Sequence, residues 1–321
     1  MALVQAQSAQ EVSPPRTLAW FHVPKCSTSI GTTFGHYLKP GLGEDLSMPA
    51  CTSDDPCESD VPEIEFERRA GIDQLDSRIV WAKQGNWGDH SKIDEVAWWR
   101  FEGQFVGLFR DPLRRAWSAY KWFAEPVNVS EAEYARRIKG TTVRMMSGQR
   151  YGLDCNWPQY PCDAGPDQEP AHLQVATDRL RGFKFVGLTD EYPLSVCLFH
   201  ARFGGECLPS EFENMRPTSA KTGQSHEEQA VALLGDVVDE EETTFFLSVY
   251  DRFCSDLNAF DVTHEACRTK ICPRAREHFD DGPGGAKSCA VGRGAFEAWL
   301  RKGGVPPIPS SSAGAAMDST S

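Results

Sequence analysis

The sequence predicts an α/β fold, in which a single domain has a central parallel sheet flanked by helices on both faces. Short apolar runs with strand character alternate with stretches of helical period along most of the chain. Strands that alternate with helices are typical of a parallel sheet, because each crossover helix returns the chain to the same edge. With 321 residues the chain is long enough for one large α/β domain or two small domains. It shows neither an internal repeat nor a convincing linker, so one domain is the simplest interpretation.

The predicted strands are four short apolar runs, at residues 17–23, 78–82, 104–109 and 183–188. Helical patterns predict helices at 29–38, 93–101, 111–123, 131–139, 172–180, 190–203, 226–235 and 239–257. Residues 1–16 are polar, and residues 303–321 are rich in Pro, Ser and Ala. We therefore expect disordered ends on either side of a domain at 17–302.

The chain carries a formal net charge of −13 at neutral pH. Proteins that bind nucleic acid in general need a basic surface to neutralise its phosphates, so nucleic acid is not an expected partner. Any anionic ligand must instead be held by local Lys and Arg side chains, against an unfavourable overall field.

Eleven cysteines are a high number for a chain of this length. Eight of them form sequence-close pairs in turn-like contexts: Cys51 and Cys57, Cys155 and Cys162, Cys197 and Cys207, and Cys267 and Cys272. This usage favours disulfide bonds and an oxidising compartment over free thiols in a cytosolic protein, although the connectivity stays open. No CxxC or His-rich pair has zinc spacing, so no metal is expected.

No stretch of the sequence approaches the roughly 20 apolar residues of a membrane span. The N-terminal MALVQAQSAQEVSPPR also lacks the basic and apolar regions of a signal peptide. The chain as given is therefore expected to be soluble. Either it is cytosolic, or an N-terminal anchor is missing from this sequence, and the cysteines favour the second interpretation.

A turn of small hydroxyl residues separates the first predicted strand from the first predicted helix. It reads PKCSTS and contains Lys25, Cys26, Ser27, Thr28 and Ser29. Its backbone N–H groups, the helix N-terminus and the lysine ammonium together suit a terminal phosphate or phosphosulfate. It is not a Walker A loop, because GxxxxGK[ST] is absent and the lysine precedes the turn. An ordinary strand-to-helix connection is the alternative interpretation.

A second motif follows the predicted strand at 104–109 and reads RDPLRRAWSAY. Asp111 is a favoured N-cap and Pro112 is favoured at the first helical position. Arg110 ends the strand, where ligands of open α/β sheets are met, and arginine binds phosphate through a bidentate fork. Arg114 and Ser118 are four residues apart and lie on one helix face. The alternative is that Arg110 pairs with a carboxylate.

Together the two motifs resemble the Golgi carbohydrate sulfotransferases, the group that includes the heparan sulfate 2-O- and 6-O-sulfotransferases. FHVPKCSTSI resembles their PKxxxTS-type loop at Lys25 and Ser29. RDPLRRAWSAY matches their RDPxxRxxSxY motif at Arg110, Asp111, Pro112, Arg115, Ser118 and Tyr120. A third stretch, FVGLTDEYPLSVCLFHARFGGEC, looks like the strand and helix that follow in that family. The chain departs from the family at Cys26, Ser27 and Thr28, where the loop usually contains Gly.

The resemblance implies a P-loop-like domain that transfers the sulfuryl group of 3′-phosphoadenosine 5′-phosphosulfate (PAPS) to a carbohydrate hydroxyl, without a metal. It places the loop around the 5′-phosphosulfate, with Lys25 at the bridging oxygen, and it places Arg110 and Ser118 on the 3′-phosphate. It also implies the Golgi lumen or the secretory pathway, with the cytoplasm as the alternative.

The general base is expected between the two motifs, where related enzymes often carry a histidine after a glycine. This sequence reads AKQGNWGDHSK, and the residue after Gly85 is Asn86. We predict His90 as the base, because histidine titrates near neutral pH, with Lys83 and Asp89 as secondary candidates. The alternative is that His90 caps the following helix.

Two other functions stay open at this point. If no base is present, the chain is an inactive nucleotide- or glycan-binding protein of the same fold. A small-molecule kinase of the P-loop class is the other, although the Walker lysine and the signature of a Mg²⁺ site are absent from the sequence.

Four tryptophans form either a sugar-stacking wall or part of the core: Trp81, Trp87, Trp98 and Trp99. The acceptor sugar and the oligomeric state are not predicted.

Overall fold

The computed structural model describes residues 18–27, 29–38, 92–123, 130–149, 151, 170–213 and 239–279. The strand predicted at 78–82, the helix predicted at 226–235 and the two ends predicted to be disordered lie outside the described residues.

Three strands form a parallel sheet in the order β1-β2-β3. They are β1 at Ala19–His22, β2 at Phe105–Phe109 and β3 at Phe185–Leu188. Ala19 pairs with Phe105 across the first ladder, and Val106 pairs with Phe185 across the second. All three were predicted as strands, and their side chains are buried, as expected for a sheet covered on both faces.

Helices connect and follow these strands. The longer ones are α1 at Ile30–Leu38, α2 at Glu95–Phe101, α3 at Pro112–Phe123, α4 at Glu131–Arg137, α5 at Thr141–Ser147, α6 at Leu173–Arg181, α7 at Tyr192–Phe203 and α8 at Glu240–Ala259. A 3-10 helix lies at Pro209–Phe212, and the short helix α9 at His264–Ala266 continues into a π-helical turn at Cys267–Ile271 and a 3-10 segment at Pro273–His278. Helix α5 and the segments after α8 were not predicted.

Aromatic rings cover one face of the sheet. Phe105 and Phe109 project on this face because alternate residues of a strand share a side. Phe105 stacks on Trp98 of α2 with ring centroids 5.7 Å apart, and Phe109 meets Phe245 of α8 at 5.9 Å. Phe183 lies between them, at 5.5 Å from Phe105 and 6.0 Å from Phe109. Helices α2 and α8 therefore pack on this face.

The opposite face packs against α1 and α7. Trp20 of β1 meets Phe34 of α1 edge-on at 5.4 Å, and Phe185 of β3 meets Phe199 of α7 at 5.4 Å. Helix α7 lies so close to β3 that a Cβ added to Gly187 would be 3.0 Å from the Cβ of Ser195. The prediction of helices on both faces of a parallel sheet is confirmed for the described part of the chain.

Two disulfide bonds hold α7 and its following turn to the C-terminal helical segments. They join Cys197 to Cys267 and Cys207 to Cys272. The sequence neighbours Cys197 and Cys207 are therefore not bonded to each other, and neither are Cys267 and Cys272. Cys254 is also disulfide-bonded. These bonds are typical of an oxidising compartment. None of the described helices is long and apolar enough to cross a bilayer.

A buried ion pair connects α3 to α8. The Nε of Arg115 donates to Glu242 Oε1 at 2.9 Å, and both side chains are 3% exposed. The hydroxyl of Thr142 on α5 donates to the same carboxylate oxygen. Asp239, the N-cap of α8, accepts from the backbone N–H of Gly140 at 2.7 Å. Three helices therefore meet at one charged cluster below the start of α3.

Replacing Arg115 with Met should destabilise the fold, because it leaves Glu242 buried without its cation. The expected loss is about 3–5 kcal/mol of unfolding free energy, measured by urea denaturation. Adding Glu242→Gln should recover part of it. The matched control is Arg137→Met, which removes an exposed pair with Glu133 and should cost less than about 1 kcal/mol. Equal losses in the two single variants would contradict this account.

Candidate functional site

The two sequence motifs meet at the carboxyl edge of the sheet. Lys25 follows β1, Arg110 follows β2 and Asp190 follows β3. The Nη1 of Arg110 donates to the backbone carbonyl of Lys25 at 3.3 Å. Residues 85 positions apart in sequence are thus in direct contact, at the edge where open α/β sheets bind ligands.

The loop after β1 has an unusual backbone. Lys25 has a φ of 67° and Ser27 has a φ of 54°, both in the left-handed region that favours glycine. Each such residue costs roughly 1–2 kcal/mol when it carries a side chain. Left-handed residues within a turn are typical of loops that collect backbone N–H groups around an anion. The loop lacks the glycines of the sulfotransferase pattern, yet its backbone adopts conformations that glycine usually supplies.

The other loop residues have different surroundings. Cys26 is buried, and its backbone N–H donates to the carbonyl of Val23 at 3.1 Å. Burial raises the pKa of its thiol to about 12, against the opposing effect of Arg115 and Arg110. The thiol therefore stays protonated and adds no negative charge to the loop. Ser27 and Ser29 are partly exposed, whereas Thr28 lies outside the described residues.

Arg110 has an unused donor. Its Nε is buried and has no hydrogen-bond partner among the described residues. No carboxylate in the described part of the chain forms an ion pair with it. A buried N–H without a partner costs about 1–3 kcal/mol, so such a group suggests a binding site for an ion or a ligand. An oxyanion at this edge would satisfy the donor.

The start of α3 is held by two carboxylates. Asp111 accepts from the backbone N–H of Arg114 at 3.0 Å, which confirms the predicted N-cap. Asp190 Oδ2 accepts from the N–H of Asp111 at 3.1 Å, and its Oδ1 accepts from Arg114 Nη1 at 2.7 Å. Asp190 was not identified from the sequence. The rule that drew attention to Arg110 applies to it equally, since it also follows a strand at this edge.

Burial and the neighbouring Asp190 raise the pKa of Asp111 to about 6. The hydrogen bond from Arg114 and the charges of Arg114 and Arg110 act in the opposite direction. Raised carboxyl pKa values occur at functional sites and also in structural ion-pair networks, and Asp111 belongs to such a network with Asp190 and Arg114.

Ser118 lies one turn beyond Arg114 on α3 and is partly exposed. The predicted base His90, with the secondary candidates Lys83 and Asp89, lies outside the described residues. So does Asn86. Their proposed roles stay predictions.

Two of the described histidines contact one buried carboxylate. His36 of α1 and His200 of α7 are buried and flank Glu211, at 3.3 Å and 2.7 Å. Burial would raise the pKa of Glu211, but the hydrogen bonds from His200 and His36 lower it to about 2. This cluster links α1 and α7 through the 3-10 helix that carries Glu211, and we interpret it as stabilising the fold. His22 is also buried, in β1.

Two of the four tryptophans are described, and neither lies at the carboxyl edge. Trp98 packs on Phe105, the first residue of β2. Trp99 is 73% exposed on the same helix. A surface depression on the C-terminal helical segments is also separate from the edge; it is lined by Arg268, Thr269, Arg276, Glu277 and Phe279.

The raised pKa of Asp111 gives a testable dependence of stability on pH. Its pKa in the folded protein lies above the ordinary 3.8, so ionisation costs more in the folded state than in the unfolded chain. The stability contribution of this group should fall as pH rises from about 4 to about 6. Asp111→Asn retains a capping oxygen but cannot ionise. It should be more stable than wild type by about 1–2 kcal/mol at pH 7 and nearly equal at pH 4.

Thermal unfolding at both pH values measures this difference. Asp94→Asn is the matched control, because Asp94 caps α2 by accepting from Ala97 N–H at 2.8 Å and reports the cost of an amide at a cap. If the stability difference between Asp111→Asn and wild type is the same at pH 7 as at pH 4, the pKa of Asp111 is not raised by folding. That outcome would contradict the account.

Comparison of the chain with protein-family models, with curated proteins and with solved structures gave no match. The assignment of function therefore rests on the residues at this edge and on the two motifs that supply them.

Proposed function

We propose that this protein is a PAPS-dependent O-sulfotransferase with a carbohydrate acceptor, and that the sheet belongs to a single P-loop-like sulfotransferase domain. The observation that carries the proposal is the contact between Arg110 and the backbone of Lys25. The sequence resemblance assigns these residues to opposite ends of one nucleotide, the 3′-phosphate and the 5′-phosphosulfate. Such roles require the two motifs to lie at one edge of the sheet.

The residues present fit an anionic nucleotide. The left-handed backbone at Lys25 and Ser27 is typical of phosphate loops. The orphaned Nε of Arg110 is a donor suited to a phosphate oxygen. Lys25, Cys26, Ser27, Thr28 and Ser29 would hold the phosphosulfate, and Arg110 and Ser118 would hold the 3′-phosphate. Bound PAPS supplies the sulfuryl group and a phosphate leaving group.

The chain's own residues would contribute position and charge. The Lys25 ammonium would stand beside the oxygen on which negative charge develops, where a fixed cation contributes most. Because burial keeps the Cys26 thiol protonated, it would add no negative charge to repel the phosphosulfate. His90 would remove the proton of the acceptor hydroxyl. No metal is proposed, since positioning and fixed cations supply most of the catalysis in related group transfers.

The proposed compartment is the Golgi lumen or another part of the secretory pathway. It is supported by the disulfide bonds Cys197–Cys267 and Cys207–Cys272, which form and persist in oxidising compartments.

Calorimetric titration with 3′-phosphoadenosine 5′-phosphate tests the nucleotide site, with ADP and AMP as controls. Binding should be tightest for the ligand with the 3′-phosphate. Arg110→Ala should weaken its binding roughly 10- to 100-fold, the worth of a charge-assisted hydrogen bond. Arg136→Ala, on the exposed side of α4, is the matched control and should leave binding unchanged. No preference over ADP would defeat the sulfotransferase proposal and favour a kinase-like or purely structural protein.

His90→Ala tests the predicted base. Turnover of PAPS with a carbohydrate acceptor should fall by roughly 100-fold or more, while the affinity for 3′-phosphoadenosine 5′-phosphate is retained. Transfer of labelled sulfate to the acceptor measures the rate, and Lys83→Met is compared beside it. Full turnover without His90 would move the base elsewhere. Nucleotide binding without turnover in the wild-type protein would support the inactive binding protein instead.

A further inference from the structure

Arg110, Arg114 and Ser118 follow one another at intervals of four residues. The last two lie on consecutive turns of α3, about 6 Å apart along its axis. Arg110 lies two residues before the helix begins at Pro112. An anion bound jointly by Arg110 and Ser118 would therefore lie over the turn that carries Arg114.

In the free protein a carboxylate forms an ion pair with Arg114. Asp190 Oδ1 accepts from Arg114 Nη1 at 2.7 Å while its Oδ2 accepts from the backbone N–H of Asp111 at 3.1 Å. One oxyanion thus bridges a guanidinium and an N–H at the start of a helix, the same kinds of donor that phosphates use. Each side chain of the Arg114–Asp190 pair is about one-fifth exposed, at 20% and 19%. The pair is therefore open to exchange.

We infer that Asp190 is an internal competitor of the nucleotide's 3′-phosphate for Arg114, and that Arg114 is a further 3′-phosphate-binding residue. The inference rests on the proposed function and adds a specificity residue to the same site. In the free protein Asp190 neutralises Arg114. When the nucleotide binds, its 3′-phosphate takes over the guanidinium and the Asp190 side chain turns toward solvent.

The local charges favour this exchange. Asp190 lies close enough to Asp111 to raise the pKa of that carboxyl group, so the two carboxylates repel each other in the free protein. Moving Asp190 away relieves that repulsion. A phosphate of higher charge than a carboxylate also gains more from the two guanidinium groups of Arg110 and Arg114. On a chain of net charge −13, neutralising Arg114 in the free state also weakens the attraction of the site for other anions.

Asp190→Asn tests the inference by calorimetry with 3′-phosphoadenosine 5′-phosphate and AMP. The amide keeps one acceptor for Asp111 N–H but does not neutralise Arg114. Affinity for the 3′-phosphorylated ligand should rise roughly fivefold, the effect of one partly exposed ion pair, and affinity for AMP should not change. Asp178→Asn is the matched control, since it removes the ion pair with Arg181 on α6 and should alter neither affinity.

Arg114→Gln gives an independent readout. It should weaken binding of the 3′-phosphorylated ligand and leave binding of AMP unchanged. The loss should be larger in the Asp190→Asn background, where Asp190 no longer competes for Arg114. If Asp190→Asn does not fold, Asp190→Ser retains an acceptor at the same place. Unchanged or weaker binding in a folded Asp190 variant, or equal losses for both ligands in Arg114→Gln, would overturn the inference. A wild-type protein with no preference for the 3′-phosphate defeats the proposed function itself.

Discussion

Parallel pairing of β1, β2 and β3 places three chain segments at one edge of a buried sheet, and the proposed chemistry depends on that constraint. The segments come from distant parts of the sequence. Arg110 follows the central strand, with the loop at Lys25 on one side of it and Asp190 on the other. The hydrogen bond from Arg110 to the Lys25 carbonyl joins the first two. The sheet can hold these groups in place because rings and helices fill both of its faces.

The same edge is costly for the fold. Lys25 and Ser27 hold left-handed conformations with side chains, Arg110 leaves a buried N–H without a described partner, and Asp111 has a raised pKa. Strain and unpaired groups of this kind are typical of functional sites, where the surrounding structure must over-determine them. Here the surrounding structure includes the buried Arg115–Glu242 pair beneath α3. The motif at the start of α3 thus supplies Arg110 at the carboxyl edge and Arg115 in a buried ion pair.

Local patterns in the sequence predicted most of the described fold. Short apolar runs predicted the buried strands, and the capping residues Asp111 and Pro112 predicted the start of α3. Helix α5 was missed because Thr141, Thr142 and Val143 are β-branched and weak helix formers, and burial against neighbouring helices outweighs that propensity. The contacts of Asp190 and the disulfide pairing were also out of reach, since both depend on which segments meet in three dimensions. The base candidate His90 lies outside the described residues, so its place in the site stays a prediction.

Hydrogen–deuterium exchange, with and without 3′-phosphoadenosine 5′-phosphate, tests the central claim most directly because it locates the ligand on the chain. The account predicts slower exchange of the backbone N–H groups at 24–30 and at 110–118, the two motifs at the carboxyl edge. The C-terminal segment at 264–279 should exchange at the same rate in both states. Protection confined to that segment, or no protection at either motif at saturating ligand, would contradict the claim that this edge is a nucleotide site.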